Sequence, residues 1–504
     1  MPLLNSLLSL VNSSRLSQIS DYSSQAVEIQ YQQLFDLVKK AQATEYGLLH
    51  DFKSIRAVDV FKSRVPVVDY EGLRPYVERL REGEKNLLWP GEIKWFAKSS
   101  GTTSTKSKFI PISRESLEDC HFRGGKDVVA LYLSNHNPDS QMLSGKCLTL
   151  GGSHQINSFS NDSYYGDLSA ILIENSPFWS NFIRTPNQSI ALLENWDEKL
   201  EKITEATLNE NVTSLAGVPS WFLILLKHIL ATSGKKNLHE VWPNLELFIH
   251  GGINFTPYRQ QYERIMGESI NYMETYNASE GFFAIQDLPS RNDLLLMLDY
   301  GIFYEFLPLS EVGKPYPQSY DVSEVALDTD YAMVITTNGG LWRYMIGDTV
   351  RFTSLNPHRI IISGRTKHFI NAFGEELMID NAEKALNRAC QVTGAAISEY
   401  TAAPVFMDEE TKGRHQWLVE FDVKPDSLAD FVEVLDATLK SLNSDYEAKR
   451  FKDITLDMPE LVLARKGLFF DWMKNRNKLG GQNKVPRLSN NRDFMDELLK
   501  INYI

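Results

Sequence analysis

Apolar residues in two stretches of the first part of the chain recur three and four positions apart. One stretch covers residues 2–45 and the other covers residues 116–133. This spacing places the apolar side chains on one face of a helix, so it predicts two amphipathic helices. Between them, residues 65–80 predict a short extended segment that enters another helix.

Short apolar runs alternate with helical patterns in the middle of the chain. Runs at 212–217, 245–250 and 269–275 predict buried strands, and residues 221–230 and 257–266 predict helices between them. This order is typical of an α/β sheet, whose ligands bind at the carboxyl ends of the strands. A pair of glycines follows the second run, at such a strand end.

Further along the chain, the pattern changes to hairpins. Residues 294–298 are predicted to pair with 302–306, and residues 332–337 turn at an Asn-Gly-Gly sequence into residues 341–344. Glycine and asparagine between two apolar runs favour a hairpin because they tolerate a positive φ. These hairpins predict a β-barrel-like part beside the α/β sheets.

A domain boundary is predicted near residue 365, where an apolar run ends in a charged turn. The pattern beyond it predicts a compact α+β domain with, in order, a helix at 381–390, strands at 396–405 and 416–423, and a helix at 427–442. A chain of 504 residues is too long for a single hydrophobic core. We therefore expect an α/β protein with a large domain at residues 1–365 and a smaller one at residues 366–504.

Composition and charge narrow the class of protein. The net charge of −13 argues against a nucleic-acid binder and suits a protein that handles small molecules. All apolar runs are shorter than the ~20 residues that span a bilayer, so no membrane partner is expected. Three widely spaced cysteines indicate neither a disulfide framework nor a zinc site. Because no basic residue precedes Arg15, the first residues make a poor signal peptide, and we expect a cytoplasmic protein.

One loop is rich in hydroxyl groups. Residues 99–104 contain five hydroxyl side chains and Gly101, and Lys106 and Lys108 follow. Hydroxyl and backbone N–H groups donate hydrogen bonds to phosphate oxygens, and an ammonium group offsets the phosphate charge. On composition alone, a solvated Ser/Thr loop is an equally good interpretation.

Four later residues fit the same phosphate chemistry. Gly252 lets a flat ring approach the backbone, and Tyr276 offers a face on which adenine can stack. Glu280 can ligate the Mg²⁺ that bridges ATP phosphates, and Asp348 can accept both ribose hydroxyls. Each residue also has a structural explanation, as a packed aromatic ring, a surface acid or an ordinary turn. Together, and in this order on an α/β pattern, they favour a nucleotide site.

Three segments carry a resemblance to a known family: the phosphate loop at 99–108, Tyr-Asn-Ala-Ser-Glu at 276–280 and Trp-Arg-Tyr-Met-Ile-Gly-Asp at 342–348. The chain resembles adenylate-forming enzymes of the firefly luciferase, acyl-CoA synthetase and peptide-synthetase type. It is more closely similar, over residues 25–490, to the Gretchen Hagen family of auxin-responsive acyl-acid amido synthetases. Thr105 stands where that family usually has glycine, and the segment 364–367 is unlike the plant branch. We therefore expect a non-plant branch, for which a plant hormone does not follow as the substrate.

The resemblance implies a ligase that forms a carbon–nitrogen bond in two half-reactions. A carboxylic acid attacks the α-phosphorus of ATP, with Mg²⁺ as the metal cofactor, and gives an acyl-adenylate and pyrophosphate. An amine, typically that of an amino acid, then displaces AMP. Two alternatives stay open: an acyl-CoA ligase that uses coenzyme A as the acceptor, and a catalytically silent relative that only binds nucleotide or acyl ligand.

The resemblance also implies which residues contact the nucleotide. The expected phosphate contacts are Ser99, Ser100, Thr102, Thr103, Lys108 and Ser279. The expected adenine contacts are Gly252 and Tyr276, and the expected ribose contacts are Asp348 and Arg365. Glu280 is the expected metal ligand.

The remaining expectations concern the acid and the second domain. Arg123, Val218 and Ile253 are expected to line the acyl pocket, with Arg123 as a partner for the substrate carboxylate. Residues 461–487 contain seven basic residues against one acid, and Lys484 among them is the expected catalytic lysine. In the family, the second domain is a mobile cap, and Lys367 lies near its hinge. The same basic segment is also compatible with an ordinary charged surface.

Overall fold

The computed structural model describes residues 13–503 except 101–106, 137–139, 152–162, 178–179, 194, 254, 367–368, 409–410, 452–454 and 477–484. The chain divides into two compact units. The larger contains Met1–Lys98 and Phe109–Thr366, and the smaller contains Ser99–Lys108 and Lys367–Ile504.

The elements before residue 367 follow the predicted alternation of helices and strands. Residues 13–20 are helical, and the further α-helices are α1 (Tyr22–Ala41), α2 (Glu45–Leu49), α3 (Val58–Arg64), α4 (Tyr70–Arg81), α5 (Phe122–Leu131), α6 (Leu168–Glu174), α7 (Ser180–Ile183), α8 (Gln188–Ala191), α9 (Trp196–Thr207), α10 (Pro219–Ser233) and α11 (Thr256–Met266). The strands are β1 (Trp95–Ser100), β2 (Ser107–Ile112), β3 (Lys146–Thr149), β4 (Tyr164–Gly166), β5 (Arg184–Thr185), β6 (Val212–Gly217), β7 (Leu247–Gly251), β8 (Asn271–Ala278), β9 (Gly281–Ile285), β10 (Leu294–Leu296), β11 (Ile302–Pro308), β12 (Asp330–Thr337), β13 (Tyr344–Leu355) and β14 (His358–Arg365). Ser116–His121 and Tyr132–His136, on either side of α5, are π-helical.

An eleven-stranded sheet organises the larger unit, with the order β11-β12-β13-β14-β10-β9-β8-β7-β6-β3-β5. Strands β5, β3, β6, β7 and β8 run parallel, and every pairing from β8 to β11 is antiparallel. The predicted α/β order at residues 212–275 is therefore confirmed. The strands predicted as hairpins extend this same sheet. A second sheet has the order β2-β1-β4.

One predicted hairpin is wrong. β10 pairs with β9 and β14, whereas β11 pairs with β12. The buried side chain of Gln30 takes the place of the missing pairing: its Nε2 donates to the carbonyl oxygens of Leu298 and Ile302, at 2.7 and 2.9 Å. Its Oε1 accepts the N–H of Tyr304 at 2.8 Å. Gln30 lies 268 residues from Leu298 in the sequence, so no local pattern could reveal this contact.

The segment 342–348 is anchored by its tryptophan. The indole N–H of Trp342 donates to the carbonyl oxygen of Leu88 at 2.9 Å, and its ring packs edge-on against Phe52 at 4.6 Å and parallel to Tyr46 at 6.3 Å. All these rings are buried. Burial of a large aromatic ring with its N–H satisfied fixes the backbone locally, and it thereby holds the start of β13 in place.

The smaller unit is an α+β structure. Its elements are β15 (Phe369–Ile370), β16 (Leu377–Met378), α12 (Ile379–Thr393), β17 (Ala396–Val405), β18 (Arg414–Val423), α13 (Leu428–Leu442), α14 (Ser444–Arg450), β19 (Glu460–Leu463), α15 (Leu468–Asn475) and α16 (Asp493–Asn502). The predicted helices and strands at 381–442 are confirmed. Strands β17, β18 and β19 form one sheet, in which β17 and β18 are antiparallel and β18 and β19 are parallel.

Among the described residues, no helix combines the length and apolar character that crossing a membrane would require.

Candidate functional site

The carboxyl ends of three adjacent parallel strands bring predicted site residues together. Gly217 of β6 pairs with His250 of β7, and Gly251 pairs with Thr275 of β8. Val218, Gly252 and Tyr276 each lie at or just beyond these positions. A Cβ placed on Gly252 would lie 3.6 Å from Cγ2 of Val218. Parallel strands end at one edge of a sheet, and this edge therefore collects residues that are distant in sequence.

Gly251 and Gly252 are required by this geometry for two different reasons. A Cβ on Gly251 would lie 2.3 Å from the carbonyl oxygen of Thr275, which is closer than any side chain could come. Gly252 has a φ of +83°, a backbone conformation that favours glycine. Gly252 is exposed, whereas Ile253 is buried. A glycine on the open side of a strand end leaves the backbone accessible to a flat ligand.

Asp348 accepts hydrogen bonds from two other predicted site residues. The hydroxyl of Tyr276 donates to Oδ2 at 2.5 Å, and Nε of Arg365 donates to Oδ1 at 2.6 Å. The antiparallel register of β13 and β14 places Asp348 opposite Arg365. Burial, and then the charge of Asp348, raise the pKa of Tyr276 well above its usual value, so the phenol keeps its proton and remains the donor. Each carboxylate oxygen can accept more than one hydrogen bond, which leaves capacity for a ligand hydroxyl.

The strand predicted at 269–275 extends further than the sequence indicated, so the first three residues of the segment 276–280 lie on a strand. β8 continues to Ala278 because it pairs with β9, with Asn277 opposite Phe282 and Ala278 opposite Gly281. Ser279 and Glu280 form the two-residue turn of this hairpin. The charge of Glu280 contributes to the raised pKa values of Tyr276 and Tyr344, although burial contributes most. The Glu280 carboxylate is therefore close enough to Tyr276 and Tyr344 for its charge to act on both phenols.

Glu280 fits the chemistry of a magnesium ligand. Mg²⁺ takes oxygen ligands and is usually held by one or two carboxylates together with substrate phosphates. In the part of the chain that the structure describes, no group of three His, Cys, Asp or Glu residues could hold a metal ion by itself. A single carboxylate on a turn is compatible with a metal that arrives with its phosphates.

Sequence reasoning missed a histidine that contacts this hairpin. Nδ1 of His121 lies 3.0 Å from Oδ1 of Asn277, and the two residues are 156 positions apart. His121 is buried, and this burial lowers its pKa to about 4. The helical pattern at 116–133 included this position, but the pattern could not show which residue faces Asn277.

The predicted phosphate contacts are only partly described. Ser99 and Ser100 end β1, and the buried Lys108 is the second residue of β2. These three belong to the smaller unit, whereas Tyr276, Glu280 and Asp348 belong to the larger one. Thr102, Thr103, Lys367 and Lys484 lie outside the described residues. Their expected roles stay predictions.

Arg123 forms a salt bridge with Asp299. Its guanidinium donates to the side chain of Asp299 at 2.8 Å and to the carbonyl oxygen of Asp299 at 3.2 Å. Arg15 also pairs with Asp299. An arginine whose charge is neutralised in this way has less to offer a substrate carboxylate, so the structure gives that expected role no support.

Three arginines of the basic segment also pair with acids. Arg465 pairs with Asp471 at 2.9 Å, Arg476 pairs with Glu497 at 2.9 Å, and Arg487 pairs with Glu399. Such half-exposed pairs are typical of a charged surface. For these three residues, the surface interpretation is therefore the better one.

Models of one protein family match most of the chain. The GH3 family N-terminal domain matches residues 15–270, the GH3 family central domain matches residues 295–365, and the GH3 family C-terminal domain matches residues 380–493. The chain belongs to the GH3 family. The resemblance drawn from the three sequence segments is thereby confirmed, and the non-plant branch stays a prediction.

Curated GH3 relatives match nearly the full length. Indole-3-acetic acid-amido synthetase GH3.8 of Oryza sativa subsp. indica is 24% identical, with 94% of this chain and 90% of the relative covered. The 4-substituted benzoates-glutamate ligase GH3.12 of Arabidopsis thaliana is 23% identical, with 95% of both chains covered. The relatives are thus ligases that join an acyl acid to an amino group, as the sequence predicted for the family.

Solved structures agree on the fold of this GH3 chain. The AtGH3.15 acyl acid amido synthetase in complex with 2,4-DB superposes with a TM-score of 0.63 at 21% identity, with 97% of this chain and 95% of the other covered. A 2-hydroxyisobutyryl-CoA ligase in complex with 2-HIB-AMP and CoA gives a TM-score of 0.55 at 13% identity, with 97% and 92% covered. The predicted fold, a large α/β part followed by a smaller α+β part, is confirmed.

Proposed function

We propose that this GH3 protein is an ATP-dependent acyl-acid amido synthetase. It converts a carboxylic acid and ATP into an acyl-adenylate and pyrophosphate, and it then transfers the acyl group to an amine, typically that of an amino acid. The observation that carries the proposal is that Tyr276 and Arg365 both donate hydrogen bonds to Asp348. The full-length match to relatives named amido synthetases supports the same reaction.

In the first half-reaction the nucleotide lies across the carboxyl ends of β7 and β8 and contacts Asp348 of β13. Gly252 leaves the backbone open to the adenine ring, and Asp348 accepts the ribose hydroxyls while Arg365 holds its carboxylate in place. Ser279 donates to the α-phosphate from the adjacent turn. Fixing the nucleotide at both the base and the ribose orients its α-phosphorus toward the attacking carboxylate, and such positioning is a large part of phosphoryl and nucleotidyl transfer.

Glu280 would hold the magnesium ion, which supplies positive charge to the phosphates when bound. We assign the remaining positive charge to Lys108, and we assign hydrogen bonds to the phosphate oxygens to the hydroxyl groups of Ser99, Ser100, Thr102 and Thr103. Val218 and Ile253 border the acyl group beside Gly252. Without neutralisation, an anionic acid would approach a polyanionic nucleotide, and the repulsion would prevent attack.

The second half-reaction needs no further cofactor. AMP is a good leaving group, so an amine can attack the activated carbonyl carbon at neutral pH. We assign residues 1–365 to nucleotide and acyl binding and residues 366–504 to a mobile cap, with Lys367 at its hinge and Lys484 as the lysine that reaches the reacting oxygens. The three cysteines are free thiols, which suits the reducing cytoplasm where we place the enzyme.

The decisive experiment measures both half-reactions. Purified protein is incubated with ATP, Mg²⁺ and a panel of aromatic and aliphatic acids, and pyrophosphate exchange identifies the acids that are adenylated. Accepted acids are then offered amino acids or coenzyme A, and the products are identified by mass. Amides without thioesters are expected. Thioesters without amides would make the protein a CoA ligase, and no exchange over the whole panel would indicate a binding protein.

Glu280→Ala tests the metal assignment. The change removes a carboxylate from a turn, so the fold is expected to persist while exchange falls at least about 100-fold. Glu268→Ala, at an exposed position before β8, is the matched control and should leave exchange unchanged. Near-normal exchange in Glu280→Ala would show that another group holds the metal ion.

A further inference from the structure

The π-helical segment Ser116–His121 ends at His121, which contacts the hairpin that carries Tyr276 and Glu280. Three residues before this segment begins, Oγ of Ser113 donates to the carbonyl oxygen of Asn338 at 2.7 Å. At its end, Sγ of Cys120 accepts the N–H of Phe282 at 3.2 Å. One turn later, a Cβ on Gly124 would lie 2.6 Å from the ring of Phe282, so only glycine permits this approach. π-Helical turns inside helices are frequent at functional sites, and this one fixes the position of His121.

Among the residues that the structure describes, only Nδ1 of His121 has a hydrogen-bond partner. Nδ1 lies 3.0 Å from the side-chain oxygen of Asn277, an acceptor, so Nδ1 carries the hydrogen and Nε2 carries the lone pair. Nε2 has no hydrogen-bond partner among the residues that the structure describes. An imidazole lone pair that no described residue uses can accept a hydrogen bond from a ligand.

The chemistry of the reaction limits what that ligand can be. The carboxylate of the acid and the phosphates of the nucleotide bring only acceptors to the reacting atoms. The amine must bring an N–H group, and it must lose a proton when the amide forms. A neutral imidazole acceptor matches that donor. Burial holds the pKa of His121 at about 4, so the imidazole is uncharged at neutral pH and its lone pair is available.

We propose that Nε2 of His121 accepts the proton of the attacking amine in the second half-reaction. This assignment rests on the proposed function. The amine nitrogen forms its bond to the carbonyl carbon, the bond from that carbon to the AMP oxygen breaks, and AMP leaves with the electron pair. The N–H proton passes to Nε2 and then to solvent. Asn277 is the positioning residue, because it keeps the hydrogen on Nδ1.

A weakly basic imidazole is sufficient for this step. The amine nitrogen becomes positively charged and strongly acidic as its bond to carbon forms, so its proton is easily removed at that stage. The negative phosphate of the bound adenylate favours the imidazolium that results. In the protein without substrate, that charge is missing and the imidazole stays neutral.

The test separates the two half-reactions in His121→Gln. Pyrophosphate exchange reports adenylation, and trapping with hydroxylamine reports the adenylate with a nucleophile that is already uncharged and reactive at neutral pH. We expect both rates to stay within about threefold of the wild type, while amide formation with the preferred amino acid falls about 100-fold. His228→Gln, at a half-exposed position on α10, is the matched control and should change none of the three.

Asn277→Leu is the second variant, and it keeps the assignment testable if His121→Gln does not fold. It leaves the imidazole in place without its fixed tautomer, so amide formation should fall about tenfold while exchange is retained. A loss of exchange that equals the loss of amide in both variants would overturn the assignment, as would unchanged amide formation. If the wild type itself exchanges pyrophosphate but forms no amide with any amine, the proposed function fails, and the assignment fails with it.

Discussion

Two arginine–carboxylate pairs lie on or beside the segment 342–348, and they differ in what surrounds them. Arg343 and Glu305 are enclosed, with side-chain exposures of 4% and 1%, whereas Arg365 and Asp348 have 16% and 13%. The remaining donors of Arg343 reach the carbonyl oxygens of Lys62 and Val65, both at 2.6 Å, and the hydroxyl of Ser319 at 2.9 Å. The enclosed pair is thus complete within the protein.

The pair at the strand ends is organised differently. Asp348 accepts one bond from Arg365 and one from Tyr276, and both members of the Arg365–Asp348 pair are partly exposed. The comparison shows that the segment 342–348 has two functions. Arg343 stabilises the fold, whereas Asp348, five positions later, can still accept hydrogen bonds from a ligand. The two arginine–carboxylate pairs therefore have different functions because their side chains differ in solvent exposure.

The largest expected effect comes from breaking the enclosed pair. Arg343→Met leaves Glu305 as a buried charge without its partner, and this should destabilise the protein by about 3–5 kcal/mol. The measurement is the shift in the unfolding midpoint in urea. Arg114→Met, which breaks an exposed pair with Glu118, is the control and should change stability by less than about 0.5 kcal/mol. Equal shifts would mean that enclosure does not distinguish these pairs.

A third carboxylate, Glu274 on β8, sharpens the comparison because none of the described residues hydrogen-bonds to its side chain. Burial raises its pKa from 4.5 to about 7. Between these two values the folded protein keeps a proton that the unfolded chain releases, so stability falls as the pH rises from about 4.5 to 7, by at most about 3 kcal/mol.

Glu274→Gln removes this titration. The variant should match the wild type near pH 5 and exceed it in thermal midpoint at pH 8. Glu268→Gln, at an exposed position nearby, should show no such pH-dependent difference. A variant that is less stable than the wild type at pH 8 would show that the charged carboxylate has a favourable partner.

Asp348→Asn tests the open pair. The substitution keeps the shape but removes the charge that would accept the ribose hydroxyls, and a hydrogen bond to a charged group is worth about 1.5–3 kcal/mol. The KM for ATP in pyrophosphate exchange should therefore rise about 10- to 100-fold, with little change in the thermal midpoint. A fall in stability as large as that of Arg343→Met, with unchanged KM, would show that the Arg365–Asp348 pair stabilises the fold and does not bind the nucleotide.

Tyr276→Phe should have the smallest effect. It removes one hydrogen bond to Asp348 and keeps the ring, so the KM for ATP should rise about fivefold, which corresponds to ~1 kcal/mol. Thermal stability should stay within the range of surface variants. If the KM rises as much as in Asp348→Asn, the hydroxyl rather than the carboxylate is the main ribose contact.

Much of the local structure follows from the sequence. The apolar runs at 212–217 and 245–250 coincide with β6 and β7 to within two residues, and α10 begins at Pro219, whose fixed φ suits the first turn of a helix. The α+β elements of the last part were equally predictable. Such features depend on side-chain period and backbone preference over a few residues.

The sequence by itself determined the element types and the family, because these depend on local patterns and short motifs. It also predicted Tyr276, Asp348 and Arg365 as site residues, and the structure joins these three by hydrogen bonds. Only the tertiary structure decided that Gln30 replaces a hairpin, that Asp299 takes Arg123, and that Asn277 meets His121 across 156 positions. Each of these contacts is a choice among many polar groups that could have paired. Tertiary packing selects the partner when distant segments come together, and the spacing of residues along one strand or helix does not predict which partner that is.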